Sequence, residues 1–174
     1  MKEKDEASFL ISKFKNGDND AFVLLINLVR NDVYKVIYAI IQNEQNSLEV
    51  FDEVIYKAYI NLKKIKHNEF FKTWLIRISI NESRNYIKKN SKIVYLSEYD
   101  EPTKSENSEI KLDMEQALNM FDVDTKSILI MKLYLDYTFE DIANDLSKPV
   151  STIKSIYYTN LEKLKKYLGK EEVN

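Results

Sequence analysis

Apolar residues recur at helical spacing over most of the chain and predict an all-α protein. Residues 21–42 place their apolar positions on one broad helical face, and residues 47–62 carry a second stripe of the same period. A shorter amphipathic stretch covers residues 7–14, and the sequence Asn16-Gly17-Asp18 after it is a turn signal. Ser47 is the predicted N-cap of the third helix. We therefore expect three helices before residue 63, followed by a basic loop up to residue 69.

The next stretch, FFKTWLIRISINESRNYIKK over residues 70–89, changes character along one helical face. Its first half predicts a core-facing stripe at Phe71, Trp74, Leu75 and Ile78. Asn81 and Asn85 continue this line as amides, and the cations around them are Arg84, Lys88 and Lys89. Amides and cations bind phosphates and base edges, so this end of the helix predicts a nucleic-acid surface. A solvated basic helix end explains the same pattern.

The periodicity stops after residue 90 and resumes near residue 112. Residues 91–111 are rich in Ser, Glu, Asp and Asn and include Pro102, which is typical of a flexible linker. We expect two small helical domains, residues 1–90 and 112–174, on either side of this linker. The second domain begins with an amphipathic helix over residues 112–121, and Asp122 or Asp124 caps the helix that follows.

The last part of the chain has the pattern of a helix-turn-helix. Thr138 and Asp141 form a predicted capping box at the start of a short helix, and Ser147-Lys148-Pro149 ends it. The final helix buries one stripe and shows a polar outer face, formed by Ser151, Thr152, Lys154, Ser155 and Tyr158. In a helix-turn-helix such a face enters the DNA major groove, although a plain helical hairpin has the same periodicity.

Charge alternates along the chain although the net charge is only -2. Residues 57–92 hold ten Lys or Arg against two Asp or Glu, residues 93–147 hold four against thirteen, and residues 148–174 hold six against three. Two basic blocks separated by an acidic one suit two DNA contacts with protein-facing acidic surface between them. Ordinary charge segregation in a soluble protein is the alternative.

The composition argues against several classes of function. The chain has no Cys and a single His, His67, so a Cys-based or multi-His metal site is excluded, and no cofactor is expected. No set of side chains indicates a catalytic nucleophile, and we do not expect an enzyme. The charged N-terminus lacks the apolar core of a signal peptide, and no apolar run is long enough to span a membrane. The expected location is the cytoplasm, and the chain is not expected to be a membrane protein.

Three stretches in this order resemble the small extracytoplasmic-function group of bacterial sigma factors in the sigma-70 family. SLEVFDEVIYKAYINL is similar to the core-polymerase-binding helix, and FKTWLIRISINESRNYIKK is similar to the helix that opens the minus-ten element. TFEDIANDLSKPVSTIKSIYYTNLEKLKKYL resembles the reader of the minus-thirty-five element. The resemblance implies a sigma region 2 helical bundle at residues 1–90 and a sigma region 4 helix-turn-helix at residues 112–174.

The resemblance also implies a role for each group of residues. The core-polymerase patch would be Glu49, Asp52 and Glu53, and the minus-ten surface would be Asn81, Arg84, Asn85, Lys88 and Lys89. The minus-thirty-five surface would be Ser151, Thr152, Lys154, Ser155 and Tyr158. The family usually has Gly in the helix-turn-helix turn, where this chain has Ser147, and it has more Arg along the last helix. Weak autonomous binding to the minus-thirty-five element is therefore expected.

The implied function is transcription initiation: the chain would bind core RNA polymerase, direct it to promoter DNA and open the strands. The resemblance further implies an anti-sigma partner, which in the family is often anchored in the membrane. One alternative is a helix-turn-helix regulator with an N-terminal ligand-binding or dimerisation domain. Another is a helical RNA-binding or phosphate-handling enzyme, which the missing His, Cys and Gly-rich loops argue against.

Overall fold

A computed structural model describes residues 2–91, 117–118 and 120–171, and every regular element within these ranges is helical. The predicted all-α fold is confirmed. The helices are α1 (Lys2–Lys15), α2 (Asp20–Ile41), α3 (Glu44–Asn61), α4 (Phe71–Ser91), α5 (Val123–Leu133), α6 (Phe139–Leu146) and α7 (Val150–Glu171). Two short 3-10 turns, Leu62–Lys64 and Asn68–Phe70, lie in the predicted basic loop between α3 and α4.

The chain divides into two compact units, Met1–Glu101 and Pro102–Asn174. Apart from Ser91, the predicted linker of residues 91–111 lies outside the described residues, as does most of the predicted helix at residues 112–121. The division into residues 1–90, 91–111 and 112–174 therefore stays a prediction.

Helix α2 is the centre of the first unit and packs against α1, α3 and α4. Its apolar face is buried as the periodicity predicts, with Leu25, Val33 and Ile37 fully excluded from solvent. At its first turn, the rings of Phe14, Phe22 and Tyr59 lie 5.1–5.4 Å apart and join α1, α2 and α3. Aromatic contacts of this kind stabilise beyond the apolar area that they bury.

Lys15 on α1 fixes the connection between α3 and α4. Its Nζ donates hydrogen bonds to the carbonyl oxygen of Ile65 at 2.7 Å and to Oδ1 of Asn68 at 2.9 Å. One amine thus satisfies two acceptors in a loop that has few backbone hydrogen bonds of its own. The loop therefore depends on α1 for its shape.

The predicted N-cap of α3 is wrong. The helix begins at Glu44, and its cap is Asn43, whose extended backbone allows its side chain to accept a hydrogen bond from the Asn46 amide at 2.9 Å. Ser47 is buried inside the helix and donates its hydroxyl to the Asn43 carbonyl at 2.6 Å. Asn is as good an N-cap residue as Ser, and Asn43 precedes Ser47 by one turn. The helix therefore begins one turn before the predicted start.

The predicted core stripe of α4 is wrong in part. Phe71 and Leu75 are buried, but Trp74 and Ile78 lie half-buried at the edge of the helix. The buried face of the helix runs through Phe71, Leu75, Ile76, Ser79, Ile80 and Ser83. Ser79 and Ser83 are completely buried because each donates its hydroxyl to a carbonyl one turn earlier, at 2.9 and 2.8 Å. A polar residue that satisfies itself in this way is compatible with a core.

In the second unit, α7 packs against α5 and α6, and the predicted caps are confirmed. Asp122 caps α5 by accepting a hydrogen bond from the Thr125 amide at 2.9 Å, and Thr138 and Asp141 form the capping box of α6. Ser147 ends α6 in the left-handed conformation, with φ of 51°. A residue with a Cβ is strained in the left-handed region of backbone conformation, whereas glycine adopts it without strain.

We predict that Ser147→Gly stabilises the second unit by about 0.5–1 kcal/mol. Glycine removes the strain of the left-handed conformation, and this gain in stability exceeds the loss that comes from the greater conformational entropy of the unfolded chain. Urea unfolding followed by circular dichroism measures this change. Trp74, the single tryptophan, reports on the first unit, so its fluorescence transition should not move.

Lys163→Gly on the exposed side of α7 is the matched control and should destabilise by about 0.5–1 kcal/mol, since glycine is a poor helix former. A lower stability for Ser147→Gly would mean that the serine side chain contributes more than its backbone strain costs.

Candidate functional site

A cleft of about 370 Å³ lies between α3 and α4 in the first unit. Its lining residues are Glu49, Val50, Glu53, Glu82, Asn85, Tyr86 and Lys89. Glu49 and Glu53 belong to the predicted polymerase patch, whereas Asn85 and Lys89 belong to the predicted minus-ten surface. The structure thus brings together residues that the sequence assigned to two separate surfaces.

Two polar contacts join α3 and α4 at this cleft. Lys57 Nζ donates to the carboxylate of Glu82 on α4 and also lies 3.3 Å from the carboxylate of Glu53, one turn earlier on α3. The Tyr86 hydroxyl donates to Glu49 at 3.4 Å. The hydrogen bond with Glu82 is the main cause that raises the pKa of Lys57. Burial and the nearby Glu49 charge raise the pKa of Tyr86.

The predicted polymerase patch is an exposed face of α3. Glu49, Asp52 and Glu53 all lie on the solvent side of the helix, away from the buried Val50, Val54 and Ala58. Among these acids stand exposed apolar side chains that sequence reasoning missed, namely Leu48, Tyr56 and Ile60. Tyr56 is 61% exposed. Residues 48, 52, 56 and 60 recur at helical spacing, so the sequence shows that they share one side of α3. Periodicity alone does not show whether that side is buried or exposed.

The predicted minus-ten residues lie on the half-exposed and exposed sides of the second half of α4. Asn81 and Arg84 are half-buried, while Asn85, Lys88 and Lys89 are exposed. Asn81 and Asn85 follow the same edge of the helix as Trp74 and Ile78. Because that edge is not the core face, the two amides meet solvent without breaking a buried stripe.

In the second unit, every residue of the predicted minus-thirty-five surface is exposed on α7: Ser151, Thr152, Lys154, Ser155 and Tyr158. Phe139 on α6 is half-buried and contacts this face. Its ring lies 5.6 Å from Lys154 Nζ and 5.1 Å from Lys132 Nζ, and it packs 5.8 Å from the Tyr158 ring. Cations favour the face of an aromatic ring, so Phe139 holds Lys154 at the start of α7.

Within the parts of the chain that the structure describes, no group of three or more His, Cys, Asp or Glu is placed to hold a metal ion. In the same residues, none of the helices has the length and apolar character that a membrane span requires.

Residues 25–93 match the sequence model of the family described as Sigma-70 region 2. The matched range includes α3, α4 and the cleft between them. The chain is 23% identical to the ECF RNA polymerase sigma factor SigW of Bacillus subtilis, over 91% of this chain and 94% of that protein. It is 24% identical to the RNA polymerase sigma-H factor of Pseudomonas aeruginosa, over 97% and 96% of the two chains.

Two solved structures share the fold. The sigma factor RpoE in complex with the anti-sigma factor NepR from Bartonella quintana superposes with a TM-score of 0.65 at 19% identity, covering 85% of this chain and 96% of that one. CnrH in complex with the cytosolic domain of CnrY has a TM-score of 0.64 at 15% identity, covering 95% and 98%. Residues 25–93 therefore carry a region 2 domain of the sigma-70 family, and along its length the chain is similar to RNA polymerase sigma factors, one of them of the extracytoplasmic-function (ECF) group.

Proposed function

We propose that this chain is a transcription initiation factor that binds core RNA polymerase through α3, opens the minus-ten element with α4 and reads the minus-thirty-five element with α7. The observation that carries this proposal is the α3–α4 pair. Two tightly packed helices present an acidic, partly apolar face and an amide-rich, basic face on one rigid unit. The chain supplies binding energy in this proposal and performs no catalysis.

The exposed face of α3 is suited to docking a protein helix that carries cations. Its three carboxylates are accessible acceptors for Lys or Arg side chains of the polymerase. Leu48, Tyr56 and Ile60 stand among them, and an exposed tyrosine that becomes buried at an interface commonly contributes much of the affinity. The acids would steer and align the partner, while the apolar side chains would supply the buried area.

The second half of α4 is suited to opening promoter DNA. Lys88 and Lys89 offer charge to phosphates, and the amides of Asn81 and Asn85 offer donors and acceptors to the edges of unpaired bases. Unstacking a base costs a few kcal/mol, which contacts to the freed base must offset. The side chains that would make such contacts lie along α4, and the buried face of α4 packs against α2 and α3 and so holds the helix rigidly.

The outer face of α7 is suited to reading duplex DNA. Its first turn follows the tight turn at Ser147, as in a helix-turn-helix, and it exposes hydroxyls and Lys154 together. Lys154 offers a cation to a phosphate on this face, and the hydroxyls of Ser151, Thr152 and Ser155 are available to base edges. Because this surface has few cations, it would contribute more to the position of the complex along the DNA than to the affinity.

We also propose an anti-sigma partner that covers these surfaces until a signal releases the chain. Support comes from two solved structures of the same fold, one in complex with an anti-sigma factor and one with the cytosolic domain of CnrY. Membrane anchoring of such a partner is part of this proposal. The site of action would be the cytoplasm, where RNA polymerase works.

Run-off transcription with purified core polymerase tests the proposal directly. Fragments of the source genome serve as templates, and the products map the promoters that the chain selects. We expect discrete transcripts that appear only when chain and core are both present. A chain that binds DNA but yields no transcript and retains no core polymerase in a pull-down would instead be a helix-turn-helix regulator.

The first prediction concerns polymerase docking. Replacing Glu49, Asp52 and Glu53 with Lys should raise the Kd for core polymerase about tenfold or more, because attractive charge pairs become repulsive. The control replaces Asp5, Glu6 and Glu69 with Lys, which changes the net charge equally on other exposed positions. Equal affinities for the two triple variants, measured by fluorescence anisotropy, would disprove the docking assignment.

The second prediction concerns the last helix. Lys154→Ala should weaken holoenzyme binding to duplex promoter DNA and reduce the slope of log K against log salt by about 0.9, the share of one phosphate. Lys163→Ala removes the same charge nine residues later, on the opposite side of α7, and should leave the slope unchanged. A slope that Lys154→Ala does not alter would contradict major-groove entry by this face.

The third prediction concerns strand opening. Asn81→Ala with Asn85→Ala should reduce open-complex formation on duplex promoters about tenfold or more, because contacts worth about 1 kcal/mol each are lost. Permanganate reactivity of unpaired thymines measures the opening. Core binding and thermal unfolding should not change, and a template with a pre-melted minus-ten region should recover most of the activity.

The matched control is Asn27→Ala with Asn31→Ala, an exposed amide pair at the same spacing on α2. This pair should open promoters normally. Equal losses on duplex and pre-melted templates would mean that Asn81 and Asn85 do not act in melting.

A further inference from the structure

Glu82 is an acidic residue within an otherwise cationic and amide-bearing part of α4. It follows Asn81 directly and lines the cleft together with Asn85 and Lys89. A free carboxylate at this position would repel the phosphates that the neighbouring cations are proposed to bind. Its side chain is only 17% exposed, so solvent screens its charge incompletely.

Lys57 is placed to cancel that charge from the neighbouring helix. Its Nζ donates to Glu82 across the α3–α4 contact and also pairs with Glu53 on its own helix at 3.3 Å. The amine therefore stands between two carboxylates that line the same cleft: Glu53 belongs to the proposed polymerase patch, and Glu82 borders the proposed promoter surface. A single cation thus bridges a carboxylate of the proposed polymerase patch and one beside the proposed promoter surface.

We infer that Lys57 is a positioning residue for promoter DNA, which acts by neutralising Glu82 and so keeps negative charge away from Asn85 and Lys89. This inference rests on the proposed minus-ten role of α4. It gives Lys57 opposite effects on the two partners. Loss of the amine would expose Glu82 to DNA, but it would also leave Glu53 more strongly negative toward a cationic polymerase helix.

The test uses holoenzyme assembled from core polymerase and four variants of the full chain: Lys57→Met, Glu82→Gln, the double variant, and Lys35→Met as a control. Lys35 is an exposed lysine of α2, so its loss changes the net charge equally. Two affinities are measured, that for core polymerase and that for the single-stranded non-template minus-ten oligonucleotide of a promoter mapped by run-off transcription.

Lys57→Met should weaken oligonucleotide binding about two- to fivefold, because it leaves the partly buried Glu82 carboxylate uncompensated, and the loss should shrink as salt is raised. Affinity for core polymerase should be unchanged or higher. Glu82→Gln should bind DNA at least as well as the parent chain. The double variant should return to the parent affinity, although it has no ion pair, and Lys35→Met should have no effect.

Two outcomes would overturn the inference. If the three variants at positions 57 and 82 lose core binding, DNA binding and thermal stability together, the pair only holds α3 to α4. If Lys57→Met weakens DNA binding and Glu82→Gln does not restore it, Lys57 itself contacts DNA. The Asn81 and Asn85 double variant is measured beside them on the same oligonucleotide. If the Asn81 and Asn85 double variant binds the oligonucleotide more weakly but Lys57→Met binds it normally, only this inference is rejected. If the Asn81 and Asn85 double variant also binds normally, the minus-ten role of α4 is rejected.

Discussion

The close packing of α4 against α2 and α3 determines which side chains of the first unit remain available to partners. Ser79 and Ser83 lie fully inside this contact, where their hydroxyls bond to the backbone of their own helix. Small residues at these points let the helices approach closely without a cavity or an unpaired polar group. Because the buried face is fixed in this way, the amides of the second half of α4 can only face outward.

Much of the helical layout follows from apolar periodicity and cap chemistry. The stripe of α2, the cap at Asp122 and the capping box at Thr138 are readable because each depends on residues near in sequence. The α4 core face was misread because a hydropathy pattern counts serine as polar. Only the tertiary contact shows that Ser79 is buried and that Trp74 lies at an edge.

The candidate surfaces could be predicted in part for the same reason. Charge and amide patterns indicate candidate residues on each helix, since those patterns are local. That Glu49 and Glu53 share a cleft with Asn85 and Lys89 depends on how α3 packs beside α4, which no local pattern specifies. The exposed tyrosine at position 56 was missed because an apolar residue at helical spacing is more often part of a core.

The role of Lys15 bears on where the folding unit around the region 2 match begins in this chain. The region 2 match begins at residue 25, inside α2, yet Lys15 and Phe14 on α1 complete the loop and the aromatic cluster beneath it. A fragment cut to the matched residues would lose both, leaving Tyr59 without its ring neighbours and the loop carbonyl at Ile65 without its donor. The cooperative folding unit is thus larger than the segment that sequence similarity outlines, and α1 belongs to the architecture that holds α3, α4 and the loop between them in place.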